Sequence, residues 1–180
     1  TIQDVATKWA NTRDTIQKTT ADTNFKMGML DITNRAQNDP NYNNSDQYHR
    51  EIEKLKTDNL KGFSTKTAEN QTALALGYDS KVGQIQIDNI YKKKMIAVGQ
   101  ESAMRRVDLE VNNPTEHSLS NIKNLLDSQV ESGILGADDA YKTLRKADGD
   151  IKQNIFLSDL NSGTVGEKLK KNAYGFDAQQ

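Results

Sequence analysis

His49 and His117 carry the readiest acid–base and metal chemistry in this chain of 180 residues. A zinc site needs three or four ligands gathered on one firm face, and neither histidine has a second His or a carboxylate pair at ligand spacing. Both therefore read as solvated or structural side chains. Cysteine is absent, which removes disulfides, thiolate nucleophiles and thiolate metal centres. No Gly-x-Ser-x-Gly elbow is present to raise a serine nucleophile. Asp148-Gly149-Asp150-Ile151 has the look of the middle of a calcium loop, but the ligand positions before it hold Lys146 and Leu144. Gly133-Ile134-Leu135-Gly136 lacks the lysine and hydroxyl of a phosphate cradle. Carboxylates pair as Glu51 with Glu53 and Asp138 with Asp139, yet glycoside hydrolysis needs two carboxylates opposed across a cleft, one of them kept protonated by burial. Nothing around these pairs indicates burial. The expectation is a chain with no catalytic residues, cofactor, metal or small-molecule substrate.

Charge gives the same answer for nucleic acid. Lysine and arginine nearly balance aspartate and glutamate, for a net charge of -1, so no overall field steers DNA or an anionic membrane to the chain. The basic clusters are Lys92-Lys93-Lys94 with Arg105-Arg106, and Lys168 with Lys170-Lys171. Consecutive lysines on a helix point in different directions, and a phosphate-binding reading needs them to converge beside stacking aromatics. Tyr91 adjoins the first cluster, but a solvated face is the better reading, and DNA contact is unsupported. The lone tryptophan, Trp9, reads as an anchor in a helix–helix contact rather than a sugar platform.

The elements that carry these residues are helical. Val, Ile, Leu and Phe make up about a fifth of the chain, a composition at the edge of what forms a core, while the near-zero net charge argues against disorder. Helices with one narrow apolar seam and wide polar faces fit this composition. The first runs from about Asp4 to Gln37, with a seam of Ile2, Val5, Trp9, Ile16, Met27, Leu30 and Ile32. That seam is weakest at Thr19-Thr20-Ala21-Asp22, where a bend or a partner contact would fall. The run 39–45 around Pro40 is a loop that reverses the chain. Asn44 or Ser45 caps the next helix, with Tyr48, Ile52, Leu55 and Phe63 on one stripe and an interruption foreseen at Lys61-Gly62-Phe63-Ser64.

From Thr65 to Val111 the periodicity predicts one long helix, through Ala68, Leu74, Val82, Ile85, Tyr91, Met95, Val98, Met104 and Val107. Gly77, Gly83 and Gly99 each weaken it by roughly 1 kcal/mol relative to Ala. The local alternation of Val82, Ile85 and Ile87 offers a strand over 82–90 as the alternative. Asn113-Pro114 breaks the helix, and a short hairpin follows: Ser118 to Ser132, with Leu119, Ile122, Leu125, Leu126 and Val130 on one face and Gly133 as its stop, then Ala137 to about Leu160. A last short helix is expected over 165–172, with Leu169 and Tyr174 docking and fraying beyond Tyr174. The predicted fold is all-α, an elongated bundle of long helices with a short C-terminal helical hairpin. It divides into a long helical hairpin region over 1–112, the short hairpin over 115–161 and a tail over 162–180. No stretch approaches the roughly eighteen apolar residues of a membrane span and no charged-then-apolar leader opens the sequence. The chain opens on Thr1 rather than Met, which we read as a piece of a larger protein.

Three runs carry a resemblance: the long polar helix ending Arg35-Ala36-Gln37-Asn38-Asp39-Pro40 followed by Tyr48, the second long helix ending Asn113-Pro114, and the hairpin from Ile122 to Ala140 turning at Gly133-Ile134-Leu135-Gly136. Together they make the chain similar to helical virion proteins of tailed bacteriophages, the internal, ejection or cargo proteins of short-tailed phages. The resemblance implies a structural and delivery subunit, present in many copies inside the capsid or tail. It would be ejected with the DNA and reassembled as a conduit across the host envelope. The implied partners are other copies and other virion proteins, with membrane contact only after ejection. Some such proteins carry a peptidoglycan-cleaving domain, and none of its residues is found in this segment. The alternative class is a helical binding or spacer module of a bacterial surface or secreted protein.

Overall fold

The computed structural model describes residues 1–170 and 173–175, and the side chains of all of these except Leu169 and Lys170. Six helices lie among the described residues: α1 Ile2–Asn38, α2 Ser45–Asn59, α3 Lys66–Asn112, α4 Ser118–Glu131, α5 Ala137–Ser162 and α6 Val165–Lys170. The fold is all-α. The strand alternative over 82–90 is overturned, because helical periodicity on both sides of that segment continues through it inside α3. The expected fraying beyond Tyr174, and the end of the last helix at Lys171 and Asn172, lie outside the described residues. Two compact units divide the chain, Thr1–Met95 and Ile96–Gln180, with the boundary inside α3.

In the first unit, Phe25, Ile32 and Ala36 of α1 meet Tyr48 and Ile52 of α2 and Leu76, Ile87 and Tyr91 of α3, with Met29, Leu55, Leu60 and Ile90 around them. Two glycines set the spacing of this core. A Cβ on Gly28 would stand 2.6 Å from both methyl carbons of Leu55, and one on Gly83 would stand 2.3 Å from Met29 Cε. At both positions a neighbouring side chain, Leu55 or Met29, fills the space that a Cβ would take, so any substitution there must displace it. The α2–α3 turn needs Gly62 at φ 82, the left-handed conformation that L side chains resist. Gln17 of α1 holds that turn from both sides: its amide donates to the Gly62 carbonyl at 3.0 Å and accepts from the Ser64 amide at 3.1 Å. Thr65 adds a 2.7 Å hydrogen bond to Asp14 Oδ2.

The second unit is built on Val107 of α3, Ile122 and Leu126 of α4, and Ala140, Ala147 and Ile151 of α5, surrounded by Met104, Val111, Leu125, Val130, Leu135, Leu144 and Ile155. α4 ends as its sequence predicts. Gly133 takes φ 70, and the amides of Gly133 and Ile134 return to the carbonyls of Val130 and Gln129, closing the last turn. Ser118 is wholly buried at the start of α4, and its hydroxyl donates to Glu110 Oε2 at 2.7 Å. Asn154 donates to the Val111 carbonyl at 2.9 Å, satisfying an end group of α3. After α6, Tyr174 stacks edge-on against Phe156 at 5.4 Å and donates to Asp159 Oδ2 at 2.7 Å.

The packed face of α1 differs from the seam read in the sequence. Ala21, Phe25, Ile32 and Ala36 are its buried residues, and of the seam only Ile32 is among them. The interior of α1 is set by the positions that face α2 and α3: Phe25 and Ile32 fill the core, with Ala21 and Ala36 buried on the same face. On α3 the seam is met in part: Ala68, Tyr91 and Val107 are buried as read, Leu76 and Ile87 join them, and Leu74, Val82 and Ile85 face solvent.

Candidate functional site

The polar groups that carry chemistry in the sequence are engaged locally. His49 Nε2 lies 2.9 Å from Asp88 Oδ1 without the alignment of a hydrogen bond. His117 is exposed beside Glu116 at 3.2 Å. Glu51 and Glu53 turn to different neighbours. Arg35 holds Glu51 at 2.5 Å and lowers its pKa. Glu53 pairs with Lys56 and accepts from the buried Ser80 at 2.7 Å and from Gln84 at 2.9 Å. Those partners, Lys56 first, lower its pKa as well. A general acid at neutral pH needs the opposite shift; in this structure the pair ties α2 to α1 and α3. Asp148 and Asp150 pair with Lys152 and Lys146 along α5 at 2.9 and 3.8 Å. Asp138 and Asp139 are exposed in the first turn of α5. Among the described residues no three His, Asp or Glu side chains gather as a metal site, and no helix is long and apolar enough to cross a membrane.

The basic clusters are dispersed in the same way. Lys94 donates to the carbonyls of Ala36 and Asp39, placing a cation on the negative end of α1, and lies 5.1 Å over the Tyr91 ring. Arg105 and Arg106 pair with Glu101 and Glu110, and Lys168 with Asp159. Lys171 lies outside the described residues.

The densest polar constellation sits at the α1–α2 turn. Asp39 accepts hydrogen bonds from Tyr91 at 2.7 Å, Asn44 at 3.1 Å, Tyr48 at 3.2 Å and the Asn41 amide at 2.9 Å. These donors, Tyr91 foremost, hold its carboxyl well below the ordinary carboxylate range. Burial, with Asp39 alongside, pushes the Tyr91 phenol up. The arrangement is saturated, with every strong donor aimed at one carboxylate, and it locks a turn. Sequence reading took Asp39 only as the residue before Pro40, because its two tyrosine partners lie 9 and 52 positions away.

Exposed apolar side chains gather on one face of α1. Ile2, Val5, Trp9, Ile16, Met27 and Leu30 of α1 are between 57% and 91% exposed. At 100° per residue all six fall in one stripe, roughly 180° around the helix from the packed Ala21, Phe25, Met29, Ile32 and Ala36. α1 thus has two apolar faces and buries one. The outer face matches the seam read in the sequence except for Ile32, which turns inward. A shorter stripe of Leu74, Tyr78, Val82 and Ile85 is exposed on α3. The second unit has a shallow groove of about 460 Å³ between α4 and α5, with Leu126, Val130 and Leu144 in its lining and Tyr141 at its rim.

No protein-family profile, curated protein or solved structure matches the chain.

Proposed function

We propose that this chain is a non-catalytic helical subunit of a larger assembly, and that it is held there by the outer face of α1. The observation that supports this is the stripe of six large apolar side chains opposite the packed face of the same helix. Soluble monomers scatter exposed apolar residues singly, whereas large apolar side chains repeated along one helix face, here thinned between Ile16 and Met27, mark an interaction surface. Residues 2–9 and 11–13 are all exposed. Among the described residues, the first hydrogen bond from α1 to the rest of its unit is made by Asp14. A helix of about a dozen residues without tertiary support is marginal in water, so a partner along α1 stabilises the helix as well as the assembly.

The finer reading is an internal or ejected subunit of a tailed-phage particle that helps form a conduit for genome delivery. It draws on the resemblance of the two proline-terminated helices and the Ile122–Ala140 hairpin to such proteins. Polar helices with thin apolar seams can exchange one set of partners for another without exposing a large core, as delivery through a narrow channel requires. The test is mass spectrometry of purified particles together with sedimentation of the isolated chain. Many copies per particle and a self-associating chain are the expected results. A chain absent from particles and monomeric in solution would favour a binding or spacer module instead.

A further inference from the structure

The outer stripe of α1 is a palindrome. Ile2 and Leu30 lie fourteen residues on either side of Ile16, Val5 and Met27 lie eleven, and Trp9 and Thr23 lie seven. A two-fold interface pairs residue i with residue j and j with i, so a stripe of this symmetry sets apolar side chains against apolar ones. We propose that the stripe is covered by the same stripe of a second copy running antiparallel, with Ile16 on the two-fold axis. In this register Ile2 faces Leu30 of the second copy, Val5 faces Met27, Ile16 faces Ile16, and Trp9 lies over Thr23. Every large apolar side chain of the stripe except Trp9 then meets another, and the indole rests on threonine methyls in the stretch Thr19 to Thr23, where the stripe is thinnest.

The apolar register and the helix dipole favour this occupant. The six side chains expose on the order of 800 Å² per copy, which is the ceiling on what the stripe can bury, against about 800 Å² per partner in a standard interface. Antiparallel α1 helices oppose their macrodipoles. The register sets Lys8 opposite Asn24 of the second copy, between Asp22 and Lys26, which already neutralise each other as an ion pair at 2.8 Å. Parallel pairing would place Lys8 of one copy beside Arg13 of the other, a like-charge contact at the flanking positions of a helix pair. Within the first unit the cores of α2 and α3 pack on the opposite side of α1, and the α2–α3 turn, through Lys61, Gly62 and Phe63, flanks the stripe beside Ile16.

The inference rests on the assembly reading above, and its test separates the two. The chain has no cysteine, so introduced thiols are unique. The full chain is prepared as Ile16→Cys, Ile2→Cys and the double variant Ile2→Cys/Leu30→Cys. Each is treated with a short bismaleimide at a concentration where the wild type associates, and circular dichroism verifies folding. The exposed sites tolerate these changes. Covalent dimer is expected from Ile16→Cys and from the double variant, and little from Ile2→Cys alone. Ile16→Glu, which sets two carboxylates together on the axis, should weaken association at least about tenfold with helicity unchanged. Cross-linking of Ile2→Cys as efficient as that of Ile16→Cys would mean parallel pairing and overturn the proposal. Unchanged association of Ile16→Glu would place the contact on another face, overturning the antiparallel pair while leaving the assembly reading intact. A wild-type chain that stays monomeric throughout would remove both.

Discussion

Two glycine-to-alanine changes separate close helix approach from simple helix weakness. A Cβ at Gly28 would meet Leu55 Cδ1 and Cδ2 at 2.6 Å and Cγ at 3.2 Å, whereas one at Gly77 would meet nothing within 4 Å. Carbon atoms pack at about 3.5–4.0 Å, so Gly28→Ala forces Leu55 back by roughly 1 Å, against the core it helps to close. Overpacking of this kind costs about 1–3 kcal/mol. Alanine returns at most about 1 kcal/mol of helix propensity, so the net is a loss on the order of 1–2 kcal/mol. Gly77→Ala keeps the propensity gain alone, about 0.5–1 kcal/mol. The two variants should therefore differ by about 2 kcal/mol, or roughly 4–8 °C in melting temperature for a chain of this size. Thermal and urea unfolding followed by far-UV circular dichroism, at one protein concentration, measures the difference. A Gly28→Ala variant as stable as Gly77→Ala would refute the tight approach of α1 and α2 at that position.

Truncation in the core gives a larger effect: Ile52, wholly buried between α1, α2 and α3, should lose about 2–5 kcal/mol on replacement by Ala, read as a lower urea midpoint. The Asp39 carboxyl, depressed by its hydrogen bonds in the folded chain from an ordinary value of 3.8, contributes stability that is present above that value and lost as pH falls through the depressed one. Urea midpoints taken from about pH 6 down to about pH 3 should therefore fall more steeply for the wild type than for Asp39→Asn. The Tyr91 phenol has the opposite sign. Its raised pKa means that its contribution is intact below the ordinary value of 10.0 and lost as pH rises through the folded one, so Tyr91→Phe should flatten the alkaline limb of the same profile. Trp9, the one tryptophan and largely exposed, should fluoresce as a solvated indole at low concentration and shift to the blue as the chain associates. A constant emission maximum would place Trp9 outside the interface.

The helices were legible in the sequence because their ends are written in local chemistry. Asp39-Pro40, Gly62, Asn113-Pro114 and Gly133 each stop or turn the chain through their own backbone preferences, and the structure uses all of them. Which face of α1 lies inside was not legible. Two sets of positions at three- and four-residue spacing fit that helix equally well, and the bulkier set draws the eye. Ala21, Gly28 and Ala36 give no hydrophobic signal of their own, and their fitness for the interior comes only from how near α2 and α3 pass. The Asp39–Tyr48–Tyr91 cluster was hidden for a related reason, since partners distant in sequence carry no spacing that points to one another. The outer stripe was visible as a seam. Only the structure shows that it faces away from the chain's own core.

Sedimentation of the full chain across concentration, with circular dichroism alongside, tests the assembly claim most directly. The account predicts a helical species whose mass rises from 20.1 kDa to twice that value as concentration increases, and a return to monomer on Ile16→Glu. A single folded species of 20.1 kDa at every concentration would contradict it.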